Sequence, residues 1–444
     1  MTDIAHDDSQ GSARFGDRDP VFGDSPEGTD VWQRVPYDPD DYGPVEDFAT
    51  DFDHADPAYN PRAPEIWKEL RESGCPVAHS DRYGGMWVPL THDTVHDVAY
   101  DTDHFTSRSV VVGVGRPGDL ALPAPIGLAP PITSDPPFHA LARRILLPPF
   151  APKKIAEWEP EVRRLCRSLL DGIGEQTPGE SVIDAAVQYA QHIPVSVIRR
   201  MLGFPEQDEE LFRTFVHDVI ERINEEPETR PLDELGEYIA RQIDEHRANP
   251  QDDLTTYLMN VEIEGNKLSD EHVGGTIILL LIAGIDTTWS SIGSSLWHLA
   301  QHPDDVRRLI DDPDVMTFAL EEFLRAYAPV TMGRLVAKDH DFHGCPMKQD
   351  DWVLLPFPAA NRDPGQFEDP DTFIIDRAQN RHAAFGLGIH RCLGSNLARL
   401  ELRVALEEFV ARFPRFELAG DVRWSVGMIR GPRELPVRIL ETAS

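Results

Sequence analysis

The sequence predicts a mainly α-helical protein with small β-sheets, and three observations carry that expectation. Apolar residues recur at helical spacing along most of the 444-residue chain. Strand-like segments are short and few. No strong linker divides roughly the last seven-eighths of the chain, so one large unit is expected although the length alone would suggest two or three domains.

Taken in order, residues 1–55 are rich in Asp, Gly, Pro and Ser, as in Asp38-Pro39-Asp40-Asp41-Tyr42-Gly43-Pro44, and have few aliphatics. They predict an acidic N-terminal extension that is disordered or loosely packed, ahead of a folded domain over 56–444. Helical periodicity begins at Ala63-Pro64-Glu65-Ile66-Trp67-Lys68-Glu69-Leu70, and Gly85-Met86-Trp87-Val88-Pro89-Leu90 reads as a short strand. Further helices are expected near 137–148, 153–173, 183–202, 208–223, 232–248 and 270–300. The stretch Ser107 to Ser134 is too long and irregular for either period and is a candidate substrate-binding loop. Pro227 and Pro231 break the pattern again between Ile223 and Pro231.

Composition narrows the function. With 77 acidic and 42 basic residues the formal charge is −35, which disfavours nucleic acid and anionic membranes as partners. A hydrophobic content of 41% supports a sizeable core, and the longest strongly apolar run, Ile277 to Ala283, is far short of the ~20 residues that span a bilayer. The first residues lack the regions of a signal peptide, so a cytoplasmic, bacterial-type protein is expected. Cys75, Cys166, Cys345 and Cys392 form no C-x-x-C pair, which indicates neither a disulfide framework nor a cysteine zinc site.

The most informative segment is Phe385-Gly386-Leu387-Gly388-Ile389-His390-Arg391-Cys392-Leu393-Gly394, one cysteine on a glycine-rich loop ahead of a helical stretch. A free thiol titrates near pH ~8.5, so a ligand thiolate needs a metal, backbone amides or a helix N-terminus to stabilise it. If a helix starts at Cys392, the amides of Leu393, Gly394 and Ser395 can point at the sulfur, while Gly386 and Gly388 permit positive φ and close approach to a flat ring. The bland alternative is a structural cysteine beside a turn. A second segment, Gly274 to Trp297, reads as one buried helix with Ala283-Gly284-Ile285-Asp286-Thr287-Thr288 at its centre. Gly284 costs about 1 kcal/mol against Ala there, and a buried acid costs more unless hydrogen-bonded. Taken alone, Asp286 could instead cap a new helix. Glu322 and Arg325 lie one helical turn apart, a spacing usually seen in solvated surface pairs.

These segments together resemble the cytochrome P-450 haem-thiolate monooxygenases, whose cysteine loop reads F-x-x-G-x-x-x-C-x-G and in bacterial members often F-G-x-G-x-H-x-C-L-G. The resemblance covers roughly residues 56–444 and implies the cytochrome P-450 fold, haem b as cofactor and Cys392 as its axial thiolate. Phe385, Gly386 and Gly394 match the cysteine loop. Ala283-Gly284-x-Asp286-Thr287-Thr288 is similar to the oxygen-activation motif. Its small residues Ala283 and Gly284 would make room for O2, Asp286 would relay protons, and Thr287 would hold bound oxygen and its water. Glu322 and Arg325 would brace the proximal side, with Arg377 a third partner. His139, Arg143, Arg334 and His390 look like the propionate set. By position, Leu279, Ile282, Ala283, Val330, Met332 and Met428 or Ile429 would line an apolar pocket for a small hydrophobic substrate. Residues 223–231 would form a mobile lid.

The sequence contains no flavin, nicotinamide or iron–sulfur motif, which implies a separate ferredoxin and ferredoxin reductase, docking near Arg144, Arg391, Arg399 and Arg403. The activity expected is insertion of one atom of O2 into the substrate. A peroxide-driven peroxygenase is the enzymatic alternative, which would not need the Asp286–Thr287 pair. A haem sensor or electron carrier is the non-enzymatic one.

Overall fold

The computed structural model describes residues 42–112, 129–174, 176–221 and 231–443. Most of the predicted substrate loop, the segment 222–230 expected as a lid, and residues 1–41 lie outside the described residues. Helix α1 (Tyr59–Glu72) precedes the hairpin β1 (Val77–Ser80) and β2 (Met86–Pro89), then α2 (His92–Tyr100) and β3 (Phe105–Thr106). There follow α3 (Phe138–Leu146), α4 (Pro152–Ala156), α5 (Glu159–Gly172), β4 (Val182–Asp184), α6 (His192–Leu202), α7 (Glu209–Glu221), α8 (Pro231–Ala248) and α9 (Leu254–Asn260). The hairpin β5 (Glu262–Ile263) and β6 (Asn266–Lys267) leads into α10 (Asp270–Leu299), α11 (Pro303–Asp311) and α12 (Met316–Ala326). Next come β7 (Thr331–Val336), β8 (His340–Phe342), β9 (Cys345–Met347), β10 (Trp352–Pro356) and the short α13 (Phe357–Ala360). The chain closes with α14 (Ser395–Arg412), β11 (Arg415–Leu418), β12 (Arg423–Trp424), β13 (Pro432–Glu434) and β14 (Pro436–Glu441).

The largest sheet has the order β1-β2-β10-β7-β3, antiparallel except where β10 runs parallel to β2. A second sheet, β11-β14-β4, explains one departure from the sequence reading. Residues 183–202 are not one helix, because Ile183 and Asp184 pair with Val437 and Pro436, and a π-helical turn at Ala186–Ala190 intervenes before α6. The predicted helix 153–173 is likewise split between α4 and α5. Pro160, in the first turn of α5, has no N–H to continue the α4 ladder.

Packed chain also begins earlier than expected. Phe48 and Phe52 are buried, with Phe52 against Trp67 at 5.0 Å and Tyr59 at 5.4 Å between ring centroids. The acidic residues that suggested looseness are paired: Arg82 donates to Asp51 at 2.6 Å and to Asp53 at 2.9 Å. Residues 42–55 therefore do not belong to a loose extension.

Helix α10, thirty residues long and so ~45 Å in length, runs through the core against α6, α14, α8 and α7. Ser269 caps it by accepting from the His272 amide. By length and apolarity α10 could cross a membrane, yet 72% of its most apolar window is buried in the fold, as befits a core helix.

Helix α12 carries a buried charge network. Glu322 and Arg325 have side chains with 0% exposure and meet in a two-bond fork of 2.7 and 2.8 Å. Arg377 Nε, Asn380 Nδ2 and the Ile374 amide also donate to Glu322, at 3.0, 3.1 and 2.8 Å. Arg325 in turn donates to the carbonyls of Asn361, Pro370 and Thr372. The pair is buried, not the solvated surface contact its spacing would ordinarily make.

Glu401 on α14 is the opposite case, since burial alone pushes its carboxyl up from 4.5 to about 8. Between those values the native chain holds a proton that the unfolded chain has released, so this group lowers stability progressively as pH rises from 4.5 towards 8. Glu401→Gln should thus be more stable than the parent by a margin that widens with pH, up to roughly 4 kcal/mol by pH 8. Urea midpoints of both proteins at pH 5 and pH 8 check this; an equal margin at both would contradict it.

Candidate active site

The cysteine loop is built by two backbone bonds and two glycines. The Gly386 amide donates to Ala383 O at 2.8 Å and the Cys392 amide to Phe385 O at 2.7 Å, closing the loop on itself. Gly386 and Gly388 have φ of 71° and 68°. A Cβ on Gly388 would lie 2.1 Å from the Ala99 carbonyl oxygen, so the loop rests directly on the end of α2. Phe385 packs beneath Arg399, whose guanidinium sits 4.4 Å from the ring centre. The helix after the loop starts later than the sequence suggested. Residues 388–390 form a single 3-10 turn, Gly394 is the N-cap and α14 begins at Ser395, so the Gly394 amide is the one that donates to the sulfur.

Cys392 has accessible surface, yet burial is the first cause that raises its thiol above the ordinary value; that surface therefore opens on an interior recess, not on bulk water. The Gly394 amide and the charges of Arg143, Arg399 and Arg391 pull the other way without prevailing. A coordinating cation would deprotonate such a thiol outright.

The four cationic or imidazole residues expected to hold propionates converge. The rings of His139, from α3, and His390, from the cysteine loop, meet edge to face at 4.3 Å. Arg143 donates to the Arg391 carbonyl, and Arg334 from β7 is buried with its Nη1 donating to its neighbour's carbonyl at 2.8 Å. Their charges oppose one another. His390 is held down to about 2 and His139 to about 4, in each case by burial first and then by nearby cations. Arg334 is lowered to about 10 by burial, with Asp135 opposing. His139 Nε2 is buried without a partner. A buried cationic cluster with an unfilled donor beside a thiol fits a flat metal-bearing ring with anionic arms, which is what haem b is.

On α10 the motif does not start a new helix, because the helix runs unbroken from Asp270 to Leu299. Leu279, Ala283 and Thr287 fall at i, i+4 and i+8 and keep accessible surface on a helix that is otherwise largely buried. The Thr287 hydroxyl donates to the Ala283 carbonyl at 2.7 Å. Gly284 is set apart: a Cβ there would meet Ile198 of α6 at 3.6 Å, so this residue serves helix packing. Asp286 turns away from Thr287, as adjacent helical residues must, and is buried against Arg433 of β13, 2.8 Å away. Arg433 also donates to Ser290 at 3.1 Å and lies over the Trp289 ring.

The proposed pocket residues fall into two groups. Leu279 and Ile282 are half-buried on α10. Val330, Met332 and Met428 are drawn together at the other, where Val330 bridges Ile429, the Thr331 amide donates to Met428 O at 2.9 Å and the Val112 amide to Met428 sulfur at 3.3 Å. Among the expected docking arginines, Arg399 is held by Glu321 and Arg403 by Glu159 and Glu407, while Arg144 and Arg391 are not ion-paired among the described residues.

Sequence reasoning missed three participants. Asp135 accepts from the Ser107 amide at 2.8 Å and from the Thr106 hydroxyl, Ser107 Oγ bonds His390 Nε2 at 2.9 Å, and Arg433 pairs with Asp286. Asp135 stands four residues ahead of His139, a spacing that could have marked it; nothing local marks Arg433. Gly388→Ala is expected to push the loop off α2, with left-handed strain of about 1–2 kcal/mol added to the clash. Haem content and thermal midpoint should both fall, and a variant matching the parent in both would contradict this placement.

Comparison with known proteins agrees with this geometry. Residues 129–423 match the family model described as cytochrome P-450. The polyketide biosynthesis cytochrome P-450 PksS of Bacillus subtilis is 33% identical over 69% of this chain and 77% of its own length. The steroid C26-monooxygenase of Mycolicibacterium smegmatis is 31% identical over 80% and 87%. Among solved structures, CYP109E1 from Bacillus megaterium in complex with testosterone superposes with a TM-score of 0.76 at 30% identity, covering 86% of this chain and 98% of that one. A cysteine loop on α2, a cationic cluster beside it and a relatedness that spans most of the chain lead to one conclusion: the protein belongs to the cytochrome P-450 family of haem monooxygenases.

Proposed function

We propose that this monooxygenase binds haem b through Cys392, oxidises a hydrophobic organic substrate with O2, and draws electrons from a separate ferredoxin and its reductase. The observation that carries the reading is a single thiol with surface on an interior recess, held by the Gly394 amide and faced by Arg143. Bound haem with a thiolate ligand supplies the oxygen chemistry, since the sulfur pushes electron density to favour O–O cleavage.

The chain's own residues position, shield and deliver protons. Arg143, Arg334, His139 and His390 would receive the propionates, whose negative charge relieves the mutual repulsion in that cluster. The Phe385 ring under Arg399 closes the proximal side against water. Thr287 carries a hydroxyl on the accessible face of α10, and its bond to Ala283 O leaves its oxygen lone pairs to accept from a bound water. Asp286 is buried and ion-paired, so it hands on a proton only by exchanging Arg433 for water or a neighbouring group.

The substrate would be gripped by shape. Leu279, Ile282, Val330, Met332 and Met428 offer apolar surface with no charge among them. The names of the relatives, polyketide and steroid enzymes, point the same way, towards a hydrophobic skeleton of several carbons bearing few polar groups. A hydroxyl and acid on α10 favour O2-dependent turnover over the peroxide-driven alternative.

The reduced, carbon monoxide-bound spectrum of the parent and of Cys392→Ala tests ligation. A strongly red-shifted Soret band present in the parent and lost in the variant is expected, whereas a spectrum typical of histidine-ligated haem in the parent would favour a sensor or electron carrier. For Thr287→Ala, haem and substrate binding should persist while product formed per electron pair drops roughly tenfold or more and peroxide rises. Unchanged coupling would remove Thr287 from the proton path.

A further inference from the structure

A second cluster of ligating side chains lies outside the haem site. Asp101 follows the last residue of α2, His104 is in the next turn and His340 opens β8. A carboxylate oxygen and one ring nitrogen from each histidine lie within 4.8 Å of one another, and all three residues are half-buried. The two imidazoles stack with centroids 4.0 Å apart and planes 22° from parallel, and His104 Nδ1 is 2.7 Å from Asp101 Oδ2. Asp101 and His340 also line a surface recess of about 500 Å3 together with Asp97, Asp341 and His343.

We propose that Asp101, His104 and His340 form a binding site for a zinc-class divalent cation. Two imidazoles and one carboxylate are the donor set that a borderline cation prefers, and they exclude a purely oxygen-seeking ion such as Mg2+. Donors around a tetrahedral ion at ~2.1 Å stand roughly 3.4 Å apart, so rotation of these side chains brings them into range without moving the backbone. The recess leaves the remaining coordination position open to water. Asp97 and Asp341 make its surroundings negative and draw cations to it. Stacked histidines have a purely structural use as well, but stacking needs no carboxylate between two elements that are far apart in sequence.

The place of this site gives it a consequence. Ala99, two residues before Asp101, supports Gly388 of the cysteine loop. His104 O accepts from the Ala337 amide at 2.7 Å, and Ser107 bonds His390. An ion held here would tie the end of α2 to β8, clamping the platform on which the cysteine loop rests.

The test uses untagged, haem-loaded protein stripped with a chelator and dialysed against micromolar zinc chloride, with bound metal and thermal midpoint both measured. One zinc per chain and a raised midpoint are expected in the parent and in the control His79→Ala. Both should be lost in His104→Ala and in His340→Gln, whose folding is verified by an unchanged carbon monoxide spectrum. Three results would each overturn the proposal: no stoichiometric uptake, uptake that survives both substitutions, or equal stabilisation by magnesium chloride.

Discussion

Glu322 is a carboxylate with no access to water, and such a charge must be met on every side or the fold does not tolerate it. Its five donor contacts come from Arg325 one turn on and from Ile374, Arg377 and Asn380, more than fifty residues further along. Most of residues 361–384 are irregular, with no sheet or long helix to hold their shape. The network supplies that shape instead. Asn361 extends it by donating to Arg325 O and accepting from the Ala383 amide at 2.6 Å, immediately before the cysteine loop. The position of Cys392 is thus set by a buried ion pair that takes no part in chemistry.

Electrostatics divides the two sides of the site. Around the cysteine loop, cations and imidazoles are gathered in a protein whose formal charge is −35, and burial holds both histidines neutral. This is a local inversion of the overall balance, and it suits an anionic guest. On α10 the one buried acid of the motif is neutralised by Arg433. Each side therefore carries the charge pattern its task needs, independent of the surface.

The end of α2 links these parts. Its Ala99 carbonyl supports Gly388, and the turn that follows runs through Asp101 and His104 to Ser107, which bonds His390. A disturbance in this short stretch reaches both the sulfur loop and the cationic cluster, because Gly388 tolerates no displacement towards a carbonyl 2.1 Å from where a Cβ would stand.

The sequence by itself determined what is local. The loop glycines, the cysteine, the run of α10 and the strand bearing Arg334 were legible because residue type and spacing at short range dictate backbone conformation and side-chain face. The split of residues 183–202 into strand and helix, the packing of Phe48 and Phe52, and the delayed start of α14 were decided by partners elsewhere in the chain. Strand β14 recruits β4, Trp67 and Arg82 cover residues that looked too acidic to fold, and Arg433 reaches Asp286 from 147 residues away. Periodicity cannot carry such information, since burial and pairing are properties of surfaces that exist only once distant segments have met.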